Sequence, residues 1–176
     1  MMETASPVVG QTPSVYTLSE EQITRLKDFN NSFKLGLYLL YKLPGAWFMG
    51  VRVKTVTPEK SEITLPYGWR SQNPYNSIYF AAQAAAAEFS TGCLATLAIA
   101  GRGKVSMLVS DINMTFTKKA TSKTTFTCQD GSRVFETVER AISTKEPQTI
   151  VMTSVGVQES GEVVSTMTIT WTFKAK

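Results

Sequence analysis

The sequence contains no histidine and only two cysteines among its 176 residues. Without histidine the chain cannot form Ser-His-Asp or Cys-His catalytic groups, HExxH metal sites or a histidine general base. Cys93 and Cys128 belong to no CxxC pair, so neither a zinc knuckle nor a disulfide framework is indicated. We therefore expect no metal site, a reducing compartment, and proton transfer by Asp, Glu, Lys, Tyr, Cys or water.

Targeting signals and strong charge clusters are also scarce. Residues 1–16 lack the basic and apolar regions of a secretory signal, so we expect a cytoplasmic protein. Pro7, Gly10 and Pro13 indicate that this segment is a flexible leader. The net charge is +4, but the basic residues form no long run or stripe, so we expect no nucleic-acid partner.

The most distinctive segment is a run of small apolar residues that predicts a helix over 77–100. Asn76 or Ser77 can cap its start, and Gly101 can end it. Small side chains nearly all round favour a helix that other backbone approaches closely, such as one enclosed by a curved sheet.

The same helix is long enough to raise the question of a membrane span. Gln83 and Glu88 interrupt its apolar run, and a carboxylate near the centre of a bilayer is costly. Alanine also gives less hydrophobic stabilisation than leucine or isoleucine would. We therefore expect no membrane partner.

The rest of the chain predicts a single domain over residues 17–176, with N-terminal helices over 17–43. Ser19 opens these helices with a capping box, apolar residues from Ile23 to Tyr41 follow at helical spacing, and Pro44-Gly45 is expected to end them. Another amphipathic helix is predicted at 132–143. The predicted strands are 48–57, 62–65, 105–116, 121–128, 149–158 and 163–173. One long helix with several antiparallel strands indicates the α+β class.

A resemblance to a known family rests on the segment from Asn73 to Glu88. It resembles the hotdog-fold thioesterases of the phenylacetate-degradation type, which carry Asn-x-x-Gly-x-x-His-Gly-Gly and then Leu-Ala-Asp or Leu-Ala-Glu. Asn73 matches the asparagine of this motif, and Glu88 matches its catalytic carboxylate. The chain departs from the motif at Asn76, where glycine is usual, at Tyr79, where histidine is usual, and at Phe80-Ala81, where two glycines are usual.

These departures look most like a branch of the superfamily that has been called a domain of unknown function. The resemblance spans residues 44–173 and implies a hotdog fold, in which an antiparallel sheet wraps around a long central helix. The N-terminal helices and the helix near 132–143 would be additions to that fold. It also implies a homodimer or a dimer of dimers.

The resemblance implies hydrolysis of an acyl thioester such as an acyl-CoA. Glu88 would act as general base or nucleophile, and backbone N–H groups near Tyr79, Phe80 and Ala81 would bind the thioester oxygen. Asn73 would orient water or Glu88, or would simply be a turn residue before Pro74. Coenzyme A would enter only as part of the substrate, with no separate cofactor.

Further residues have a functional interpretation and a structural one. Gln83 would line the cavity or bond to a strand, and Thr91 would hold the carboxylate or a water, or bond within the helix. Four basic residues are candidates for contacts with cofactor phosphates, although each would also suit a solvated surface. They are Arg102, Lys104, Lys118 and Lys119.

Two alternatives to catalysis by Glu88 stay open. Glu88 would be structural if it paired with Arg70 or Lys104, whereas an apolar pocket would raise its pKa and suit a general base. The whole protein would be a non-catalytic protein that binds an acyl chain or another apolar small molecule if it kept the cavity without turnover. A hydratase of the same fold is disfavoured because that pattern relies on histidine.

Overall fold

The computed structural model describes residues 17–176, and the predicted leader 1–16 lies outside them. The helices are α1 (Glu20–Phe29), α2 (Ser32–Lys42), α3 (Pro44–Met49), α4 (Phe80–Ile99) and α5 (Gly131–Thr144). The strands are β1 (Arg52–Val56), β2 (Ser61–Leu65), β3 (Val105–Phe116), β4 (Thr124–Cys128), β5 (Gln148–Gln158) and β6 (Val163–Ala175). The helix predicted near 132–143 is present as α5.

The six strands form one sheet in the order β1-β2-β4-β5-β6-β3, and every neighbouring pair is antiparallel. Helix α4 packs against strands across this sheet, from β2 to β3. This is the α+β class that the pattern of elements predicted, and the packing of one antiparallel sheet on one long helix agrees with the hotdog fold that the resemblance implied.

Helix α4 is buried on nearly all sides because its residues are small. Ala82, Ala86, Ala87 and Ser90 have almost no exposed surface, so strand side chains approach the helix backbone closely. The helix begins at Phe80 instead of residue 77 because the N–H of the preceding Ile78 donates to the carbonyl oxygen of Ala120 (2.8 Å).

The expectation that Pro44-Gly45 ends the N-terminal helices and that a strand begins near Phe48 is wrong. Pro44 instead occupies the first turn of α3, where a missing N–H costs no hydrogen bond and the fixed φ suits a helix. Gly50 ends α3 in the left-handed region (φ 87°), and the strand begins only at Arg52.

Strand β3 is an edge strand that pairs only with β6. Its partners Met167, Ile169 and Trp171 are buried against the helix side of the sheet. Ile112 lies opposite Ile169 on that same side, yet it is half exposed because little of α4 covers this edge. The edge therefore offers both unpaired backbone groups and an uncovered apolar side.

Residues 17–176 contain neither a membrane-spanning helix nor a recognisable metal site. None of the helices in this range has both the length and the apolar character needed to cross a membrane. No cluster of acidic residues and cysteines in the same range could hold a metal ion.

Candidate active site

Glu88 lies near the middle of α4 and lines a cavity of about 380 Å³. Helices α1 and α2 cover this cavity with Phe29, Leu35 and Tyr38, and Met107 of β3 contributes to its wall. Charged side chains also line it, namely Arg25, Asp28 and Lys34. The N-terminal helices therefore enclose the carboxylate.

The side chain of Glu88 makes no hydrogen bond or ion pair with any residue in the described range 17–176, and neither Arg70 nor Lys104 pairs with it. Burial raises the pKa of Glu88 above its ordinary value, because a low-dielectric surrounding disfavours the charged form. The direction is the one expected for a carboxylate in an apolar pocket. Such a group accepts a proton more readily near neutral pH.

At Gly92 the helix has no side chain beside the carboxylate. A Cβ atom built there would lie 3.4 Å from Oε1 of Glu88 and 3.7 Å from the nearest ring atom of Trp171. Thr91 does not reach the carboxylate: its hydroxyl donates to the carbonyl oxygen of Glu88 (2.9 Å) and accepts from the indole N–H of Trp171 (3.0 Å). Thr91 thus has the intrahelical bond that the sequence left as an alternative.

Cys93 also lines the cavity of Glu88, although its spacing of five residues predicts a different helix face. Burial first, and then the charge of Glu88, raise the pKa of the Cys93 thiol. Cys93 is therefore a buried neutral thiol.

A second cavity, of about 370 Å³, lies at the N-terminus of α4. Asn73 lines it but faces its own turn: Oδ1 accepts from the N–H groups of Tyr75 (2.9 Å) and Ser77 (3.3 Å), and Nδ2 donates to the hydroxyl of Ser77 (3.0 Å). Asn76 has a positive φ of 57°, which explains how asparagine can stand where glycine is usual. Asn73 therefore stabilises the turn before α4, which is the structural alternative given above, and it makes no hydrogen bond to Glu88.

The first N–H groups of α4 differ in availability. The N–H of Tyr79 donates to the carbonyl oxygen of Ser71 (2.7 Å), so it is not free to bind a substrate oxygen. Phe80 and Ala81 occupy the first turn, where N–H groups have no acceptor within the helix. The rings of Tyr79 and Phe80 contact each other edge to face, with centroids 4.8 Å apart. Only two of the three predicted donors therefore remain.

Gln83 is fixed between the helix and the sheet. Its side-chain N–H donates to the carbonyl oxygen of Ile78 (3.2 Å), and its side-chain oxygen accepts from the hydroxyl of Ser165 on β6 (2.9 Å). Gln83 lines the second cavity and not that of Glu88. Its bonds make it a link between α4 and β6.

The four candidate phosphate contacts lie in two places. Lys118 and Lys119 line the second cavity, where Lys118 is paired with Glu162 and Lys119 donates to the carbonyl oxygen of Tyr75 (3.3 Å). Arg102 lies beyond the other end of α4 and pairs with Glu139. Lys104 is an exposed neighbour of Arg102 and faces neither cavity.

The predicted machinery is therefore split along α4. Phe80 and Glu88 are eight positions apart, so their backbone atoms are separated by about 12 Å along the helix axis at a rise of 1.5 Å per residue. Strand β3 connects the two regions, since Met107 lines the cavity of Glu88 and Phe116 lines the second one. Within one protomer, the donors and the carboxylate therefore belong to different cavities.

Sequence reasoning missed the residues of α1 and α2 that cover Glu88, because nothing in the local pattern shows that these helices return to α4. The sequence could have predicted Gly92 and Thr96 as lining residues, because they follow Glu88 at four and eight residues and so share its helix face. A glycine in the interior of a helix also indicates that another group lies close to the helix backbone at that position.

Comparison with known proteins agrees with this architecture. The sequence model of the family described as Domain of unknown function (DUF4442) matches residues 34–173. No curated protein matches the chain significantly by sequence.

Solved structures share the fold at low sequence identity. A protein of unknown function from Pseudomonas aeruginosa, named a probable thioesterase, is 17% identical with a TM-score of 0.69, over 82% of this chain and 96% of that one. A protein of unknown function from Chlorobaculum tepidum is 13% identical with a TM-score of 0.72, over 87% of this chain and 99% of that one. A thioesterase from Haemophilus influenzae is 14% identical with a TM-score of 0.58, over 81% and 90%. The chain thus has the hotdog fold of thioesterases.

Proposed function

The chain belongs to the family described as Domain of unknown function (DUF4442), and we propose that it is a hydrolase that cleaves acyl thioesters such as acyl-CoA. The observation that carries the proposal is Glu88, a largely enclosed carboxylate without a partner among residues 17–176 that faces a partly apolar cavity. An unpaired carboxylate that is mostly withdrawn from water is costly to a fold, so a functional role accounts for its presence. Structural neighbours named thioesterases support this class of reaction.

In the proposed reaction, Glu88 accepts a proton from water while the water oxygen attacks the thioester carbonyl carbon. Backbone N–H groups at the start of α4 stabilise the oxyanion that forms. The carbon–sulfur bond then breaks, and the leaving thiolate takes up the proton from Glu88. The products are a carboxylic acid and a free thiol such as coenzyme A, and the carboxylate of Glu88 is restored.

The proposed reaction uses a second copy of the chain, because the donors and Glu88 line different cavities of one protomer and are about 12 Å apart along the axis of α4. Antiparallel pairing of two β3 edges about the strand centre would set the Val105 end of one strand beside the Phe116 end of the other. Since these two ends line different cavities, each carboxylate would lie near the donors of the second copy. Pairing would also cover the half-exposed Ile112.

The first test is hydrolysis of acyl-CoA substrates of increasing chain length by the wild-type protein and by Glu88→Gln. We expect the variant to lose about 10²–10⁴-fold in kcat, the usual contribution of a general base. Glu146→Gln, which changes an exposed carboxylate to the same amide, is the matched control and should keep full activity. Equal rates for wild type and Glu88→Gln would contradict the proposed role.

Complementation tests the shared site. Phe80→Pro removes one donor N–H and suits the first position of the helix, where Tyr79 already has the extended backbone (ψ 135°) favoured before proline. Phe80→Ala removes the ring but keeps the N–H and serves as control. We expect inactive Glu88→Gln and weakened Phe80→Pro chains to regain activity when they are unfolded together and refolded as mixed dimers. A monomer in light scattering, or no recovery in mixed dimers, would overturn the shared site.

Non-catalytic binding of an acyl chain is the second candidate. The observation in its favour is that the exposed rings of Tyr79 and Phe80 stand at the start of α4, where related motifs have histidine and glycine. Bulky side chains there narrow the approach of a thioester to the donors. In this case acyl-CoA would bind equally well to wild type and Glu88→Gln, and neither would release free thiol.

A further inference from the structure

Helix α2 is apolar on two opposite faces. Leu35 and Leu39 are buried against the rest of the protein. On the opposite face, four large apolar side chains follow at helical spacing and form what we call the outer stripe: Phe33 (75% exposed), Leu37 (54%), Leu40 (45%) and Tyr41 (79%).

A surface helix of a globular domain normally carries polar residues on the face opposite its core contacts. The outer stripe instead presents contiguous apolar groups to solvent, which marks a surface that is covered in use. The apolar residues of this helix follow at helical spacing, and the sequence alone suits either packing against the core or a contact with a second copy. In the structure Leu35 and Leu39 pack against the core, and the outer stripe faces solvent.

The charged residues within the segment that carries the outer stripe are all basic, although Lys54 pairs with Glu62 (2.9 Å). Residues 29–58 contain no aspartate or glutamate but include Lys34, Lys42, Arg52 and Lys54. The ammonium group of Lys42 lies 4.8 Å from the centre of the Tyr41 ring and pairs with no carboxylate in the described range 17–176. Lys34 has one exposed ion pair, with Asp28 of α1 (3.4 Å).

Helix α3, which packs against α2, adds exposed aromatic groups. Phe48 contacts Trp69 edge to face, with ring centroids 5.7 Å apart, and both side chains are exposed. Arg70 follows Trp69 directly and has no ion pair within residues 17–176. Exposed aromatic rings beside basic side chains are the composition of segments that lie at a lipid–water interface.

We propose that the outer stripe of α2 docks on an anionic lipid surface. The apolar side chains would enter the boundary between headgroups and acyl chains, and the lysines would contact the negative headgroups. A second copy is a poorer occupant, because a two-fold contact through this stripe would bring the lysines of both copies together. Residues 29–58 supply no carboxylate, and the nearby Asp28 already pairs with Lys34 of its own protomer. This proposal departs from the sequence-based expectation of no membrane partner, which considered only a bilayer-spanning helix.

Docking would also affect the cavity of Glu88, because Leu35 and Tyr38 of the same helix line it. If the proposed hydrolysis is correct, the cavity wall would lie at the lipid surface and suit acyl thioesters that partition into membranes. The docking itself does not depend on hydrolysis. Binding to vesicles is therefore measured without substrate, so that failure of one proposal is distinguishable from failure of the other.

The test is co-sedimentation of the full chain with vesicles of phosphatidylcholine alone and with an equal mixture of phosphatidylcholine and phosphatidylglycerol. We expect binding to the mixed vesicles and a loss of at least about tenfold in the triple variant Phe33→Gln, Leu37→Gln, Tyr41→Gln. The matched control, Val151→Gln with Val163→Gln, changes exposed apolar groups on the sheet and should bind like wild type.

Charge is tested separately with Lys34→Gln and Lys42→Gln. Each change should weaken binding to the mixed vesicles by about fivefold, the effect of one lysine near an anionic surface. Light scattering of the triple variant tests the second copy as occupant. The proposal is overturned if wild-type protein stays in the supernatant with mixed vesicles, or if the triple variant binds them as wild type does. It is also overturned if the triple variant changes the oligomeric state while vesicle binding stays intact.

Discussion

Replacing Gly92 by alanine should raise the stability of the protein and lower its activity, because the added methyl group favours the helix but lies beside Glu88. Alanine in the interior of a helix is about 1 kcal/mol more favourable than glycine. The added Cβ would lie 3.4 Å from Oε1 of Glu88 and 3.7 and 3.9 Å from two ring atoms of Trp171, which is ordinary van der Waals contact. We therefore expect Gly92→Ala to raise the free energy of unfolding by about 1 kcal/mol, and Tm by about 2–4 °C.

The same methyl group occupies the open side of the carboxylate. It removes space that an attacking water needs beside Glu88 and excludes solvent further, which disfavours the ionised form. We expect kcat for thioester hydrolysis to fall by about tenfold or more, within the range that general-base catalysis contributes.

Gly36→Ala is the matched control, because Gly36 lies in the interior of α2 and no atom lies within 4 Å of a Cβ built there. It should give the same gain in stability with unchanged hydrolysis. Stability is measured by urea unfolding, and activity by release of free thiol from acyl-CoA. A stabilised Gly92→Ala variant with wild-type activity would refute the position of Glu88 in the reaction, and a strongly destabilised one would refute the packing around Gly92.

Three further predictions concern stability. Burial raises the pKa of Glu88, so the native state holds its proton more tightly than the unfolded chain does, and wild-type stability falls as pH rises through the raised pKa. The free energy of unfolding of Glu88→Gln, measured in urea relative to wild type, should therefore increase from about pH 4 to about pH 8. The increase should be about 1.4 kcal/mol for each unit by which folding raises the pKa of Glu88. A difference that does not change with pH would contradict this. Gly131→Ala should lower the free energy of unfolding by about 3 kcal/mol, and Tm with it, because the added Cβ would overlap the carbonyl oxygen of Pro58. An unchanged Tm would show that Gly131 and Pro58 lie farther apart than this. Asp130→Ala should cost about 1–3 kcal/mol in urea unfolding because the N–H of Thr153 loses its acceptor (2.7 Å), whereas Asp130→Asn keeps an acceptor and should cost less.

The sequence alone determined the class of fold and its central element. The small residues of α4 and its glutamate are adjacent in the chain, so composition and periodicity were enough to predict a buried helix with one carboxylate. The alternating residues of β6 and the amphipathic pattern of α5 likewise depend on local spacing. The absence of histidine is a matter of composition, so it restricts the available proton-transfer groups whatever the fold.

Some local patterns were ambiguous until the tertiary contacts decided between them. Pro44 suits either the end of one helix or the first turn of the next, and packing selected the second. Helix α2 offered two apolar faces, and only its position against the rest of the protein showed that Leu39 is buried and Tyr41 exposed.

The site itself depended on residues that are far apart in the sequence. The cavity of Glu88 forms where α1 and α2 meet α4 and β3, and no local pattern encodes that meeting. Asn73 matched a motif by spacing, but the hydrogen bonds of its own turn direct it away from Glu88. Spacing along one chain fixes which residues share a helix face, whereas the distance between functional groups is set by how separate elements pack.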